Sequence, residues 1–175
     1  MRAYMLLVSL VLASAALMAE SAAGMSWTAP AGWKAGAPRP MRAATYAIAP
    51  AAGDPTGAEC IVNYFGPGQG GGVDANIERW KGQVQGPDGT PAVAKVSKRT
   101  VRNVPITVID TSGSYAGMGG PMAAASKAVP GYRLLGAIVE GPGGSVFFKL
   151  TGPAKTIAAQ QKQFDQLLAS IQLEK

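Results

Sequence analysis

The chain has 175 residues, with 16 lysines and arginines against 10 aspartates and glutamates, and a formal net charge of +6. It contains no histidine and a single cysteine, Cys60. These counts exclude Ser-His-Asp and Cys-His catalysis, the common zinc sites and an internal disulfide. The bases are spread along the sequence without a dense stripe, which is typical of a solvated surface, so we expect no nucleic-acid partner.

The first 23 residues have the layout of a secretory signal peptide. Arg2 gives a positive start, residues 5–19 form an apolar run, and Ser21-Ala22-Ala23 fits a small-x-small cleavage site. The apolar run is shorter than the roughly 18–20 residues of a comfortable bilayer span, which disfavours the alternative of an uncleaved anchor. We therefore expect cleavage before Gly24 and an exported protein, periplasmic or secreted, that does not span a membrane after cleavage. Residues 24–175 are long enough for one domain with its own core.

The first half of the predicted domain contains strands and one helix. Trp27 and Trp33 lie in a Pro- and Gly-rich segment at the start of the domain, and we expect both indoles to pack against the rest of the domain. Residues 41–49 and 59–65 predict two strands. A helix is predicted over residues 73–85, because apolar residues recur at helical spacing there. This stripe consists of Val73, Ile77, Trp80 and Val84.

The second half predicts four strands and a terminal helix. The strands are expected in two pairs, the second joined by Gly141-Pro-Gly-Gly, a composition typical of a hairpin turn. Their predicted ranges are residues 92–102 and 104–111, then residues 132–140 and 145–150. The closing helix has one apolar side, made of Ile157, Phe164, Leu167, Leu168 and Ile171. Runs of strands with two main helices predict an α+β fold with a largely antiparallel sheet.

A glycine cluster lies between the second predicted strand and the first helix. Gly66, Gly68 and Gly71 match G-x-G-x-x-G, yet Pro67 has no N–H for a phosphate and two helices cannot build a repeated βαβ fold. A nucleotide site is therefore not expected. Two interpretations stay open: a flexible connector, or a looser anion site made by glycine N–H groups at the helix start with Arg79 nearby. The glycines of that candidate site are Gly68, Gly70, Gly71 and Gly72.

A long connection over residues 112–131 has no evident secondary structure, and such loops are often mobile or functional. Tyr115, Met118 and Met122 within it form a candidate contact surface for a partner. The alternative is that these side chains fold back onto the sheet.

Catalytic and metal signatures are otherwise missing from the sequence. It lacks the S-x-x-K and G-x-S-x-G motifs. Asp110 and Glu140 are a formal candidate for a carboxylate pair, because they lie in or near predicted strands that a sheet could bring together. Glu140 adjoins a predicted turn, where an exposed carboxylate is ordinary. The remaining candidates for a calcium site are too scattered to support one; they are Asp54, Asp74 and Asp88. We expect neither a catalytic activity nor a cofactor nor a metal.

Two segments resemble proteins of the Mog1/PsbP-like fold. The sequence SVFFKLTGPAKTIAAQQKQFDQLLASIQ, from Ser145, is similar to their closing strand and helix, and WTAPAGWK, from Trp27, is similar to their start. The segment VNYFGPGQGGGVDANIERW, from Val62, resembles uncharacterised exported bacterial proteins of this fold. The resemblance spans most of residues 25–173 and implies an α/β sandwich. Members of the wider group bind a small GTPase or photosystem components, but none of their partner-binding residues can be placed on this sequence.

The predicted function is that of an exported, non-catalytic binding or accessory protein whose partner is an unknown protein or envelope component. The alternative is a small-molecule or anion binder, or a weak hydrolase, that uses the glycine-rich loop at the start of the first helix.

Overall fold

The computed structural model describes residues 19–117 and 128–174. Two helices and eleven strands lie in these ranges, and each is named here by its order in the chain. The elements are β1 (Ala19–Ala22), β2 (Met25–Thr28), β3 (Lys34–Ala35), β4 (Arg42–Ile48), β5 (Ala58–Tyr64), α1 (Val73–Lys81), β6 (Val84–Gln85), β7 (Ala94–Val101), β8 (Val104–Tyr115), β9 (Val129–Gly141), β10 (Gly144–Pro153), α2 (Ala154–Ser170) and β11 (Gln172–Leu173).

The strands form two antiparallel sheets. The large sheet has the order β3-β4-β5-β10-β9-β8-β6, and β7 pairs with β8 on the same edge as β6. The small sheet has the order β1-β2-β11. The predicted α+β fold, with a largely antiparallel sheet and two main helices, is confirmed.

The large sheet is buried on both faces near its centre. Phe147 and Phe148 are consecutive residues of β10, so their side chains point to opposite faces. Phe148 belongs to a large core that includes Trp27, Tyr46 and Phe164. Phe147 belongs to a smaller core on the α1 side, together with Ile77, Trp80, Val84, Ile109, Leu134 and Ile138. The strand is apolar over consecutive positions because both faces are covered.

Helix α2 and the small sheet cover the large core. The predicted apolar side of α2 is confirmed, and the indoles of Trp27 and Trp33 are buried as expected. The start of α2 is capped from a distant loop: one carboxylate oxygen of Asp54 accepts hydrogen bonds from the N–H (2.8 Å) and the hydroxyl (2.5 Å) of Thr156. Such a cap satisfies backbone donors that a helix start leaves free.

Helix α1 is shorter than the sequence predicts. It ends at Lys81, and Gly82 donates its N–H to the Glu78 carbonyl. The predicted helix is therefore wrong over residues 82–85, where Val84 is a buried residue of β6. Val84 continues the apolar spacing of the helix, and burial in a strand satisfies that spacing equally well.

The two predicted strand pairs are confirmed; β7 is shorter than expected, and β8, β9 and β10 are longer. Strands β7 and β8 are joined by Arg102 and Asn103, both with positive φ, and β9 and β10 form the second hairpin. The predicted unstructured connection over residues 112–131 is wrong at both ends, because β8 continues to Tyr115 and β9 begins at Val129. Residues 118–127 lie outside the described part of the chain.

Candidate ligand-binding site

A cavity of about 820 Å³ opens on the α1 side of the large sheet. Helix α1 contributes its last turns to the wall, and the sheet contributes β10 and the adjoining ends of β4 and β5. Because α1 ends at Lys81, it leaves this part of the sheet uncovered. We call it the Lys149 cavity, and its lining residues are Pro40, Met41, Arg42, Asn63, Phe65, Glu78, Arg79, Trp80, Gly82, Gln83, Ala116, Gly117, Phe147 and Lys149.

Lys149 is a buried cation in this cavity. It follows Phe147 by two residues in β10, so the strand alternation places both side chains on the α1 face. β10 lies between β5 and β9, opposite Ile61 on one side and Gly136 on the other. Lys149 consequently has only 5% of its surface exposed. Lysine is rarely buried to this extent without a charged partner.

The Lys149 ammonium has weak partners. Its Nζ donates to Gln83 Oε1 at 3.4 Å and to the Tyr115 hydroxyl at 3.4 Å, both at the long end of hydrogen-bonding distances. The ion pairs found among the described residues do not include Lys149. An ammonium group has three N–H donors, so this buried charge is under-satisfied by the protein.

The electrostatic environment disfavours the charged form of Lys149. Burial lowers its pKa to about 8, and the positive charges of Arg79 and Arg42 add to this effect, while Glu59 opposes it. An anion bound in the cavity would act in the opposite direction and favour the ammonium form.

The two arginines of the cavity are tied to neighbouring side chains. Arg42 lies 3.7 Å from a Glu59 carboxylate oxygen, a loose ion pair. Arg79 donates to Asn76 Oδ1. Asn76 is neutral, so the positive charge of Arg79 stays uncompensated by this contact. The cavity therefore has a positive field with apolar walls.

The glycine loop is joined to the cavity through Asn76. The Asn76 amide donates to the carbonyls of Gly70 at 2.8 Å and Gly72 at 2.9 Å, and its oxygen accepts from Arg79. Gly70, at φ +89°, lies against the rings of Phe65 and Phe147, where a Cβ would come within 2.8 Å of both. The loop thus supports two aromatic walls of the cavity.

The predicted site residues fall into three groups. Arg79 lines the cavity, and the Tyr115 hydroxyl contacts Lys149 while its ring stacks on Tyr132 at 5.9 Å. The candidate glycines are in the supporting loop and not in the cavity lining; they are Gly68, Gly70, Gly71 and Gly72. Met118 and Met122 lie outside the described residues.

Lys149, Arg42 and Asn76 were not among the residues singled out by the sequence. One signal was available for Lys149: it interrupts the apolar run Val146-Phe-Phe-Lys-Leu of a strand that is buried on both faces. A charge at such a position is costly unless it is used.

The candidate carboxylate pair is not formed. Asp110 accepts a two-pronged interaction from Arg133, at 2.8 and 2.7 Å. It lies opposite Leu135, and Glu140 is five residues further along β9, about 17 Å at strand spacing.

Within residues 19–117 and 128–174, no cluster of three or more metal-ligating side chains occurs.

The described part of the chain contains no helix with the length and apolar character needed to cross a membrane. The thiol of Cys60 is fully buried, and burial raises its pKa.

Comparisons with known proteins bear on the fold. No family model matches the chain, and no curated protein matches it. The solution structure of a cyanobacterial PsbP protein (CyanoP) from Synechocystis is similar, with a TM-score of 0.54 at 12% sequence identity, over 96% of this chain and 98% of that one. A crystal structure of a Pseudomonas aeruginosa protein of unknown function, titled a putative regulator, reaches a TM-score of 0.48 at 12% identity, over 88% of this chain and 94% of that one. The chain thus has a PsbP-like fold.

Proposed function

We propose that this protein is an exported binding or accessory protein without catalysis of its own, and that the Lys149 cavity holds a negatively charged group of its ligand. One observation carries the proposal: an under-satisfied ammonium lies at 5% exposure in a cavity of about 820 Å³, with Arg42 and Arg79 beside it. Small-molecule sites have volumes of about 300–1,000 Å³ and combine apolar walls with few polar groups.

The composition of the site supports a role in binding without catalysis. Apart from Lys149, its polar groups are arginines, amides, a glutamate and a tyrosine hydroxyl, and the chain has no histidine. Glu78 is the cavity's carboxylate, and its Oε1 accepts a hydrogen bond from Lys81 at 2.7 Å. This carboxylate is therefore already paired with a cation, which supports a binding role.

Export is part of the proposal and has its own test. Cleavage before Gly24 would remove β1, which pairs with β2 through residues 19–22. Mass determination of the N-terminal peptide from exported protein would decide whether β1 belongs to the mature fold. A peptide that began at Met1 would contradict signal cleavage.

The binding proposal is tested by thermal unfolding and calorimetry with a panel of carboxylates, phosphates and sulfates. Ligand binding raises apparent stability, so at least one anion class should stabilise the protein. Lys149→Met should abolish that stabilisation, and Lys162→Met, on the exposed side of α2, should preserve it. A response that is flat for every anion, or equal in both variants, contradicts the proposal.

A further inference from the structure

We infer that the Lys149 cavity binds a small amphipathic carboxylate, with its carboxylate against Lys149 and its apolar body along Phe65 and Met41. This inference rests on the proposed function and adds the chemical class of the ligand. It draws on the donors available in the cavity and on the apolar side chains at its surface.

The hydrogen-bond donors of the cavity suit a carboxylate better than a phosphate, because only one N–H of Lys149 is free for the ligand. Two of the three N–H directions of Lys149 are taken by Gln83 and Tyr115, which leaves one for a ligand. Phosphate sites typically bring together several backbone N–H groups or forked arginines. Here the neighbouring loop instead directs the carbonyls of Gly70 and Gly72 to the Asn76 amide.

The two arginines can attract an anion through their electrostatic field, but they are not placed to form a bidentate hydrogen-bonded pair with it. Arg79 donates a hydrogen bond to Asn76. Arg42 forms an ion pair with Glu59 and donates a hydrogen bond to the Thr45 hydroxyl. Their charges lie close enough to depress the pKa of Lys149. They would therefore attract a carboxylate at a distance and raise its rate of entry.

The apolar part of the ligand is indicated by exposed side chains. Met41 is 68% exposed and Phe65 37%, and both line this cavity. The Phe65 ring packs on the buried ring of Phe147 at 5.7 Å between centroids. The buried indole of Trp80 forms part of the same wall. An alkyl chain or a flat ring attached to the carboxylate would remove this apolar surface from water.

The test is calorimetric titration of the full folded protein with butyrate, hexanoate and octanoate, and with phenylpropionate as the aromatic member. Each added methylene should tighten binding about three- to fourfold until the exposed wall is covered. 1-Octanol supplies the chain without the charge and should bind at least tenfold more weakly than octanoate. Comparison of octanoate with phenylpropionate distinguishes an aliphatic source from an aromatic one.

Two variants separate the two halves of the ligand. Lys149→Met should weaken octanoate at least tenfold and leave octanol unchanged, whereas Lys162→Met should change neither. Met41→Gln keeps the side-chain length and should weaken octanoate while butyrate binds as before. Thermal unfolding of each variant checks that it is folded.

The inference and the proposed function fail in different ways. The carboxylate inference would be overturned if affinity did not depend on chain length. It would also be overturned if inorganic phosphate bound more tightly than octanoate in a Lys149-dependent manner. Either result would preserve an anion-binding function. No Lys149-dependent binding of any anion would overturn both.

Discussion

Lys149 and Tyr115 meet across the α1 face of the sheet, with Nζ 3.4 Å from the hydroxyl oxygen. The lysine comes from the central strand β10, and the tyrosine comes from the end of β8. Gln83 Oε1 lies at the same distance from Lys149 Nζ, 3.4 Å. None of these contacts neutralises the charge, so the unliganded protein carries a desolvation cost that a bound anion would offset.

Lys149→Met is expected to stabilise the unliganded protein. Methionine fills a similar volume and removes the buried charge, and replacing buried charges with apolar side chains often raises stability by roughly 1–4 kcal/mol. Urea unfolding at pH 7 measures the change. Lys162→Met, which alters an exposed lysine, should change the free energy of unfolding by less than about 0.5 kcal/mol. A clear loss of stability in Lys149→Met would mean that the ammonium is well satisfied in the native state.

Gly70→Ala is expected to destabilise the protein more than Gly68→Ala. Both glycines have positive φ, which costs an alanine about 1 kcal/mol. A Cβ at Gly70 would also come within 2.7 Å of Phe147 and 2.8 Å of Phe65, whereas a Cβ at Gly68 meets no atom within 4 Å. The overpacking should add about 1–3 kcal/mol at Gly70. Chemical unfolding of the two variants gives the difference directly, and equal losses would contradict a supporting role for Gly70.

Local patterns were sufficient to predict most of the elements. Turn residues separate the strand pairs, and the apolar side of α2 repeats over four turns. The end of α1 could not be predicted in the same way, because Val84 fits a helical stripe and a buried strand alike. What ends α1 is Gly82, together with the pairing of Val84 to Tyr115 on β8. That pairing joins positions 31 residues apart and leaves no local signal.

Asp54→Ala is expected to lower the free energy of unfolding by about 0.5–2 kcal/mol, the usual cost of losing a helix cap. The Asp54 carboxylate accepts hydrogen bonds from both the N–H and the hydroxyl of Thr156, and the substitution removes this acceptor from both groups. Glu174→Ala removes an exposed carboxylate and serves as the control. Unchanged stability in Asp54→Ala would show that water replaces the cap at no cost.

The candidate site was predictable only in part. Arg79 and Tyr115 were identified from the sequence, although in two separate hypothetical surfaces, and the structure brings both to the Lys149 cavity. Lys149 interrupts an apolar run, but its burial follows only from the register that places β10 between β5 and β9. Asn76, which links Arg79 to the glycine loop, occupies a helical position where a polar residue is ordinarily solvated. The site depends on long-range strand pairing, and short sequence patterns do not specify that pairing.

The stability gap between Lys149→Met and the unaltered protein should narrow as the pH rises from 8 to 10.5. Lys149 has a pKa of about 8 in the folded protein and an ordinary value of 10.5. Below pH 8 the amine is protonated in both states, and the full cost of the buried charge is present. Above pH 8 the folded state releases the proton and the unfolded state keeps it, so the folded state gains stability relative to the variant.

Urea unfolding of both proteins at intervals between pH 7 and pH 10.5 measures this gap. Cys60, Tyr46 and Tyr115 also contribute a pH dependence: burial raises the pKa of each in the folded protein, so their ionisation in the unfolded state lowers stability as the pH rises. Cys60 and Tyr46 belong to the large core on the other face of the sheet, so their contributions cancel in the difference. Tyr115 contacts Lys149, so both proteins are compared in a Tyr115→Phe background. A gap that stays constant across the range would show that Lys149 keeps its ordinary pKa when folded, and that its burial imposes no electrostatic cost.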